Sequence, residues 1–144
     1  MVRRIWFFVL LAPACLVTGC TYPPDETPER LIEERLVGTW LREYSEDTSQ
    51  VRRVLVLARD GTFSEKAVVH GPAPAQFSHS GDWRFDGTNL KRHYRLLDGK
   101  PPTAPFVPFA TFELKFQTPD EFSGLDRVHR REVHYRRVTD GTLP

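Results

Sequence analysis

The chain has 144 residues, with 20 lysines and arginines against 19 aspartates and glutamates and a formal net charge of +1. This length suits one domain with its own core. The near balance of charge gives no case for nucleic acid or another polyanion as a partner, because such partners attract proteins with a clear excess of positive charge.

Residues 1–19 have the layout of a cleaved signal peptide. Arg3 and Arg4 are followed by an uncharged, mainly apolar run over residues 5–17. This run is about half to two-thirds of the roughly 20 residues that a membrane-spanning helix needs, so we expect a signal-peptide core rather than a permanent span. Removal of the segment leaves 18 basic and 19 acidic residues, a formal charge of −1.

The end of this segment carries a lipid-attachment pattern. Val17, Thr18, Gly19 and Cys20 resemble the lipobox of bacterial lipoprotein signals, in which an apolar residue and two small ones precede the modified cysteine. The resemblance implies diacylglycerol on the Cys20 thiol and cleavage before it. Two or three acyl chains, at about 0.8 kcal/mol per buried methylene, would then hold the protein to a membrane. The alternative is an ordinary secreted signal followed by a chance cysteine.

The cysteines and the residue after the lipobox bear on the compartment. Cys15 lies in the segment to be removed. Cys20 would then have no partner for an intramolecular disulfide or a cysteine metal site. In enterobacterial lipoproteins an aspartate after the cysteine retains the protein in the inner membrane. Thr21 stands there, so the resemblance implies the outer membrane of the cell envelope, facing the periplasm.

A short helix is predicted after a lipidated tether over residues 20–27. Thr27 is a good N-cap, and Pro28 suits the first helical position, where a missing N–H does no harm. Gly38 can end the helix. We therefore expect one helix over residues 28–36, at the start of a domain that extends over residues 28–144.

The chain then changes to the period of two that is typical of strands. In QFSHSGDWRFDG, residues 76–87, the apolar side chains and His79 alternate with polar ones, which predicts one dry and one wet face. FATFELKF, residues 109–116, repeats the pattern. Further strands are predicted at 37–44, 51–59, 62–70, 89–97, 121–126 and 131–138.

The connections between these segments favour hairpins. Asp-Gly-Thr occurs at 60–62, 86–88 and 140–142, and Asp-Gly-Lys at 98–100. Asp-Gly tolerates the positive φ angles of tight hairpin turns. About eight strands with no helical pattern between them predict an all-β antiparallel meander, which closes most economically into a small β-barrel. A partly open barrel and a sandwich are the alternatives.

Three stretches resemble small bacterial lipocalin-like domains: LVGTW at 36–40, LARDGTF at 57–63 and SGDWRFDGTNL at 80–90. In lipocalins a Gly-x-Trp motif opens the first strand, and its tryptophan plugs the closed end of the barrel. Gly38 and Trp40 match this motif. A basic residue late in the last strand covers the tryptophan in the family, and the resemblance implies Arg136 or Arg137 for that role, at roughly 0.5–2 kcal/mol.

The size of the barrel leaves two states of its interior open. An eight-stranded barrel is just wide enough to be filled by side chains or to hold one small ligand. Six large aromatic side chains are predicted to face inward, and each buries about 150–250 Å². They favour a filled interior over a hollow one. They are Phe63, Phe77, Trp83, Phe85, Phe112 and Phe116.

No catalytic motif is present in the sequence. It has no nucleophile elbow, no glycine-rich phosphate loop and no HExxH, so we expect no enzyme, no catalytic residue and no cofactor. His129 and His134 are five residues apart and would face opposite sides of a strand, so we expect no metal site; zinc or copper would need ligands from several strands. His79, on the apolar face, would either orient a ligand or be a hydrogen-bonded core residue.

Two surface segments are candidate contacts for a partner. DRVHRREVHYRR, residues 126–137, could meet an anionic surface, or it could be a solvated strand whose charges pair across a hairpin. The loop DGKPPTAPFVPF, residues 98–109, has prolines at intervals of three with Phe106, Val107 and Phe109 among them. It could cover the barrel mouth, dock a partner or turn its aromatic residues into the core.

Two functions from different classes follow. The first is a non-enzymatic binding module for a small apolar or amphipathic ligand, with His79, Trp83, Phe106 and Phe109 near it. A cavity below about 100 Å³ would count against this function, because ligand pockets usually have about 300–1,000 Å³. The second is an envelope accessory protein, an assembly factor or inhibitor, with a filled core and a protein partner.

Overall fold

The computed structural model describes residues 27–126 and 130–144. They form one short helix followed by eight strands. The elements are α1 (Pro28–Leu36), β1 (Gly38–Glu46), β2 (Ser49–Leu57), β3 (Thr62–His70), β4 (Ala75–Phe85), β5 (Asn89–Leu97), β6 (Phe109–Thr118), β7 (Glu121–Asp126) and β8 (Arg131–Val138). Within the described ranges, no helix has the length and apolar character needed to cross a bilayer.

The helix α1 begins as its sequence predicts. The Thr27 hydroxyl accepts a hydrogen bond from the backbone N–H of Arg30 at 3.3 Å, and Pro28 takes the first helical position. The helix ends at Leu36, which is fully buried. Gly38 opens β1 rather than capping the helix. Its φ is 139°, and a side chain there would overlap the guanidinium of Arg137.

The strands close into a barrel. Each strand pairs antiparallel with its neighbours in sequence, and β1 also pairs with β8, where Trp40 lies opposite Arg137. This confirms the predicted all-β meander barrel with one short helix; the open barrel and the sandwich are excluded. Gly61 and Gly87, in two of the Asp-Gly turns, have φ of 82° and 92°, the values that such turns require.

The two ends of the barrel differ. The closed end carries α1 and the turns at 58–61, 86–88 and 119–120. The mouth carries the turn at 47–48, residues 71–74 and the long loop at 98–108.

The half of the barrel next to the closed end is filled by side chains. The Trp40 ring lies 4.6 Å from that of Phe122 in an edge-to-face contact, and Phe122 stacks on Tyr135 at 5.0 Å. Such aromatic pairs contribute about 0.5–1.5 kcal/mol beyond the area they bury. The buried members of this core are Leu36, Trp40, Leu55, Leu57, Phe63, Trp83, Leu90, Tyr94, Phe112, Phe122, Val133 and Tyr135.

A bulge interrupts the pairing of β4 with β5. Gly81 lies opposite Tyr94 but Ser80 lies opposite Leu96, so Arg95 is an extra residue in β5. The strands approach closely here, because a Cβ on Gly81 would overlap the carbonyl oxygen of His93. The bulge shifts the inward face of β5 by one residue towards the mouth.

Candidate functional site

Four polar side chains form a charged belt inside the barrel, between the filled half and the mouth. The belt consists of Arg53 on β2, Glu65 on β3, His79 on β4 and Arg92 on β5. Alternation turns all four inward. Arg53, Glu65 and Arg92 each share a strand face with buried apolar residues two positions away, and His79 shares one with the buried Trp83. Glu65 and His79 are direct cross-strand partners.

Glu65 is the centre of the belt. Its Oε1 lies 2.7 Å from Nη1 of Arg53 and 3.3 Å from Nδ1 of His79. Its Oε2 lies 2.5 Å from Nη1 of Arg92. Glu65 is 1% exposed and Arg92 is 3% exposed, so this carboxylate and this guanidinium are removed from water.

The belt keeps its charges in spite of burial. Burial opposes ionisation of Glu65, but the charge of Arg92, the hydrogen bond to His79 and the charge of Arg53 outweigh it, and the pKa of Glu65 lies well below its usual 4.5. Burial likewise opposes the charge on Arg92, and the Glu65 carboxylate outweighs it, which raises the pKa of Arg92. The belt therefore holds two guanidinium cations and one carboxylate.

Some donors of the belt have no acceptor. Among the described residues, the buried Nε atoms of Arg53 and Arg92 have no hydrogen-bond partner. A buried donor without a partner costs about 1–3 kcal/mol. For Arg92, ring faces offset part of this cost, because its Cζ lies 4.9 Å from the Phe112 ring centre and 5.3 Å from that of Tyr94.

A cavity of about 410 Å³ opens above the belt, and we call it the mouth cavity. Arg53 forms part of its floor, and its walls are largely apolar. The volume lies within the range of about 300–1,000 Å³ that is usual for small-molecule sites. The lining residues are Tyr44, Glu46, Asp47, Thr48, Ser49, Val51, Arg53, Ala67, Val69, Pro72, Ala73 and Phe77.

Tyr44 connects the floor of the cavity with its rim. Its hydroxyl lies 3.5 Å from Nη2 of Arg53. The guanidinium of Arg42 lies 4.1 Å from the centre of its ring, and that of Arg131 lies 5.8 Å away. Arg131 also pairs with Glu46 at the rim, at 3.5 Å. One aromatic ring thus separates several inward-facing cations.

Two of the residues predicted to lie near a ligand are close to the mouth. His79 belongs to the charged belt, and its ring meets that of Tyr94 edge to face at 5.6 Å. Phe106, in the long loop, meets the same Tyr94 ring at 5.6 Å. Part of the proline-rich loop is therefore turned inward and covers Tyr94.

The other two lie elsewhere. Trp83 is buried near the closed end, where its indole N–H donates to the carbonyl of Ala58 at 2.9 Å. Phe109 is 60% exposed and stacks on His93 at 4.7 Å on the outer surface. None of the four predicted residues, His79 and Phe106 included, is among those that line the mouth cavity.

Trp40 and Arg137 lie together at the closed end. Trp40 is fully buried, and its indole N–H donates to the carbonyl of Leu36 at 2.8 Å. The Arg137 guanidinium lies 4.3 Å from the centre of the Trp40 ring and donates to the carbonyl of Val37 at 3.0 Å. Arg136 points outward and pairs with Glu43 at 3.1 Å, so Arg137 is the arginine that covers the tryptophan.

Three arginines in the described part of the basic segment pair with acidic residues. Besides the pairs of Arg131 and Arg136, Arg137 lies 3.3 Å from Asp120. Arg127 and His129 lie outside the described residues, as does the predicted lipid-attachment site Cys20. Within the described ranges, no group of three or more His, Cys, Asp or Glu side chains is placed to hold a metal ion.

The sequence patterns do not single out Arg53, Glu65 or Arg92, although a signal is present. Glu65 lies on the same face of β3 as Phe63 and Ala67, so a charged residue occurs where alternation predicts an apolar one. No protein-family model matches the chain, and no curated protein matches it. The functional proposal therefore depends on the geometry of the belt and the mouth cavity.

Proposed function

We propose that the protein is a membrane-anchored periplasmic lipoprotein of lipocalin-like type that binds a small apolar or amphipathic molecule and is not an enzyme. The observation that carries the proposal is the mouth cavity. Its volume of about 410 Å³ is far above the limit of about 100 Å³ that would count against a ligand. Val51, Ala67 and Val69 give it apolar walls over a charged floor.

Ligand uptake can be tested with a neutral apolar dye. Residues 21–144 contain the whole barrel and its helix, and N-phenyl-1-naphthylamine should bind them with a saturable rise in fluorescence. Ala67→Phe fills the cavity and should abolish this rise. Val68→Phe is the matched control, because Val68 is the next residue of β3 and faces outward. Equal dye binding by both variants would contradict a site in the mouth.

The anchor is a separate part of the proposal. It rests on the Cys20 pattern in the sequence and on the two or three acyl chains that this pattern implies. Cys20→Ser should move the protein from the membrane fraction to the soluble periplasmic fraction. An unchanged fractionation would show that the protein is not held by lipid.

A second candidate function is that of an envelope accessory protein. The observation that favours it is the proline-rich loop, where Val107 is 64% exposed and Phe109 is 60% exposed. Neighbouring exposed apolar side chains often mark a contact with another protein. Removal of residues 101–108 should then eliminate crosslinks to a specific envelope protein. Unchanged crosslinks would remove the main support for this function.

A further inference from the structure

The floor of the mouth cavity has an excess of positive charge. Arg53 and Arg92 share a single carboxylate, that of Glu65, so the belt holds one more guanidinium than it has carboxylates to pair with. A cation without a counter-charge is costly in a region largely removed from water. A bound anion would supply the missing charge.

Arg53 is the member of the belt that a ligand can reach. Its side chain is 21% exposed, against 2% for that of Arg92, and it lines the cavity. Its Nη1 is used by Glu65 and its Nε is buried, but its Nη2 has only the Tyr44 hydroxyl, at the long distance of 3.5 Å. Donor capacity for an acceptor in the cavity therefore remains on Nη2.

The rim carries carboxylates, one of which, that of Glu46, is paired with Arg131. Glu46 and Asp47 both line the outer part of the cavity. An anionic headgroup would be repelled at the rim and attracted at the floor. Between the two levels the walls are formed by Val51, Ala67 and Phe77, which suit a hydrocarbon chain. The preferred orientation of a ligand thus has its charge at the floor and its apolar part towards the mouth.

We propose that the mouth cavity binds a single-chain amphiphile with one carboxylate, head first, with that carboxylate on the guanidinium of Arg53. This inference rests on the proposed binding function and adds the charge and the orientation of the ligand. A carboxylate matches the planar guanidinium and can accept two hydrogen bonds from it. A single negative charge matches the excess of one guanidinium over carboxylates within the belt.

The first experiment compares three ligands that have the same tail. Decanoate, methyl decanoate and decylammonium are titrated below micelle formation, at neutral pH, against residues 21–144 loaded with N-phenyl-1-naphthylamine. Decanoate should displace the dye at a concentration at least about tenfold lower than methyl decanoate, because charge-assisted hydrogen bonds are roughly twice as strong as neutral ones. Decylammonium should be the weakest competitor, because the floor repels a cation.

Variants then test the role of Arg53. Arg53→Gln should reduce the affinity for decanoate to that for the methyl ester and leave the affinity for the ester unchanged. Arg53→Lys should retain part of the preference, since it keeps the charge but loses the planar pairing. Arg52→Gln is the matched control, because Arg52 is adjacent in β2, faces outward and pairs with Glu43 at 2.5 Å. It should change neither affinity.

The outcomes separate the two proposals. Equal displacement by decanoate and methyl decanoate would overturn the anionic ligand and leave the binding function intact. A decanoate preference that survives in full in Arg53→Gln would overturn the assignment to Arg53. An absence of dye binding by the unmodified domain would overturn the binding function and this inference with it. If Arg53→Gln loses its near-ultraviolet circular dichroism, the three-ligand comparison on the unmodified domain still decides.

Discussion

Removal of the buried carboxylate by Glu65→Gln should destabilise the barrel strongly. Glu65 is 1% exposed, and it is the one carboxylate of the belt, shared by the guanidinium of Arg92, which is 3% exposed, and that of Arg53. Loss of one partner from a buried ion pair typically costs about 3–5 kcal/mol, because the remaining charge is left without compensation. That is a large fraction of the 5–15 kcal/mol by which domains are usually stable.

Urea unfolding of residues 21–144, followed by tryptophan fluorescence, measures this loss. Glu43→Gln is the matched control: Glu43 is 48% exposed and pairs with two surface arginines, so its loss should cost no more than about 1 kcal/mol. Adding Arg92→Met to Glu65→Gln should restore part of the lost stability, since it removes the uncompensated cation. A cost for Glu65→Gln equal to that for Glu43→Gln would refute the assignment of Glu65 as a buried carboxylate that compensates buried cations.

Lowering the pH should weaken the native protein through Glu65. The folded-state pKa of Glu65 lies below 4.5, so its contribution to the free energy of unfolding is present above pH 4.5 and is lost as the pH falls below that value. The urea midpoint should therefore fall less steeply with acidification in Glu65→Gln than in the unmodified domain. Raising the pH should act through Tyr94, because burial raises the pKa of Tyr94 from 10.0 to about 12. Roughly 2–3 kcal/mol of the free energy of unfolding should be lost as the pH rises from 10 to about 12, and Tyr94→Phe should remove that loss. Gly81→Ala should cost about 3 kcal/mol in urea unfolding, since the added carbon overlaps the backbone of β5; a cost below about 1 kcal/mol would mean that the strands can separate there. Arg137→Ala should cost about 2–3 kcal/mol of stability, because the contact with the Trp40 indole and the hydrogen bonds to backbone carbonyls are lost. Arg136→Ala, the control, should cost less than about 1 kcal/mol. Equal decreases in the melting temperature of the two variants would contradict this assignment.

The strands were predictable because their signals are local. The predicted ranges 62–70, 89–97, 121–126 and 131–138 coincide with β3, β5, β7 and β8, and the helix has its predicted bounds. Alternation of apolar and polar residues and Asp-Gly turns are read within a few residues of chain. For β1 and β2 the ends moved by one or two residues, and the two ends that meet do so at a turn of Asp47 and Thr48 that lacks a glycine.

The charged belt was not predictable in the same way. Glu65 meets Arg53, His79 and Arg92 only because three neighbouring strand pairings bring them to one level of the barrel. Register of this kind is set by the whole barrel, and the bulge at Gly81 adds a shift that no alternation pattern contains.

The path of the proline-rich loop was also not predictable from its own sequence. Phe106 and Phe109 have similar sequence surroundings, yet the first packs against Tyr94 at 39% exposure and the second stacks on His93 at 60% exposure. A backbone hydrogen bond from the Tyr94 N–H to the carbonyl of Pro108 fixes the path of the loop between them. That bond joins residues far apart in the sequence, so it cannot be inferred from the prolines.

The chain enters the barrel at the end opposite to its opening. Thr27 and α1 lie at the closed end, and strands of about nine residues, tilted as in other eight-stranded barrels, separate that end from the mouth by roughly 20 Å. A molecule tied to a bilayer through the residues before Thr27 would hold its opening towards the aqueous compartment and away from the lipid surface beneath it. With the proposed lipid anchor and binding function, a ligand would then enter from the aqueous side and not directly from the leaflet that holds the anchor.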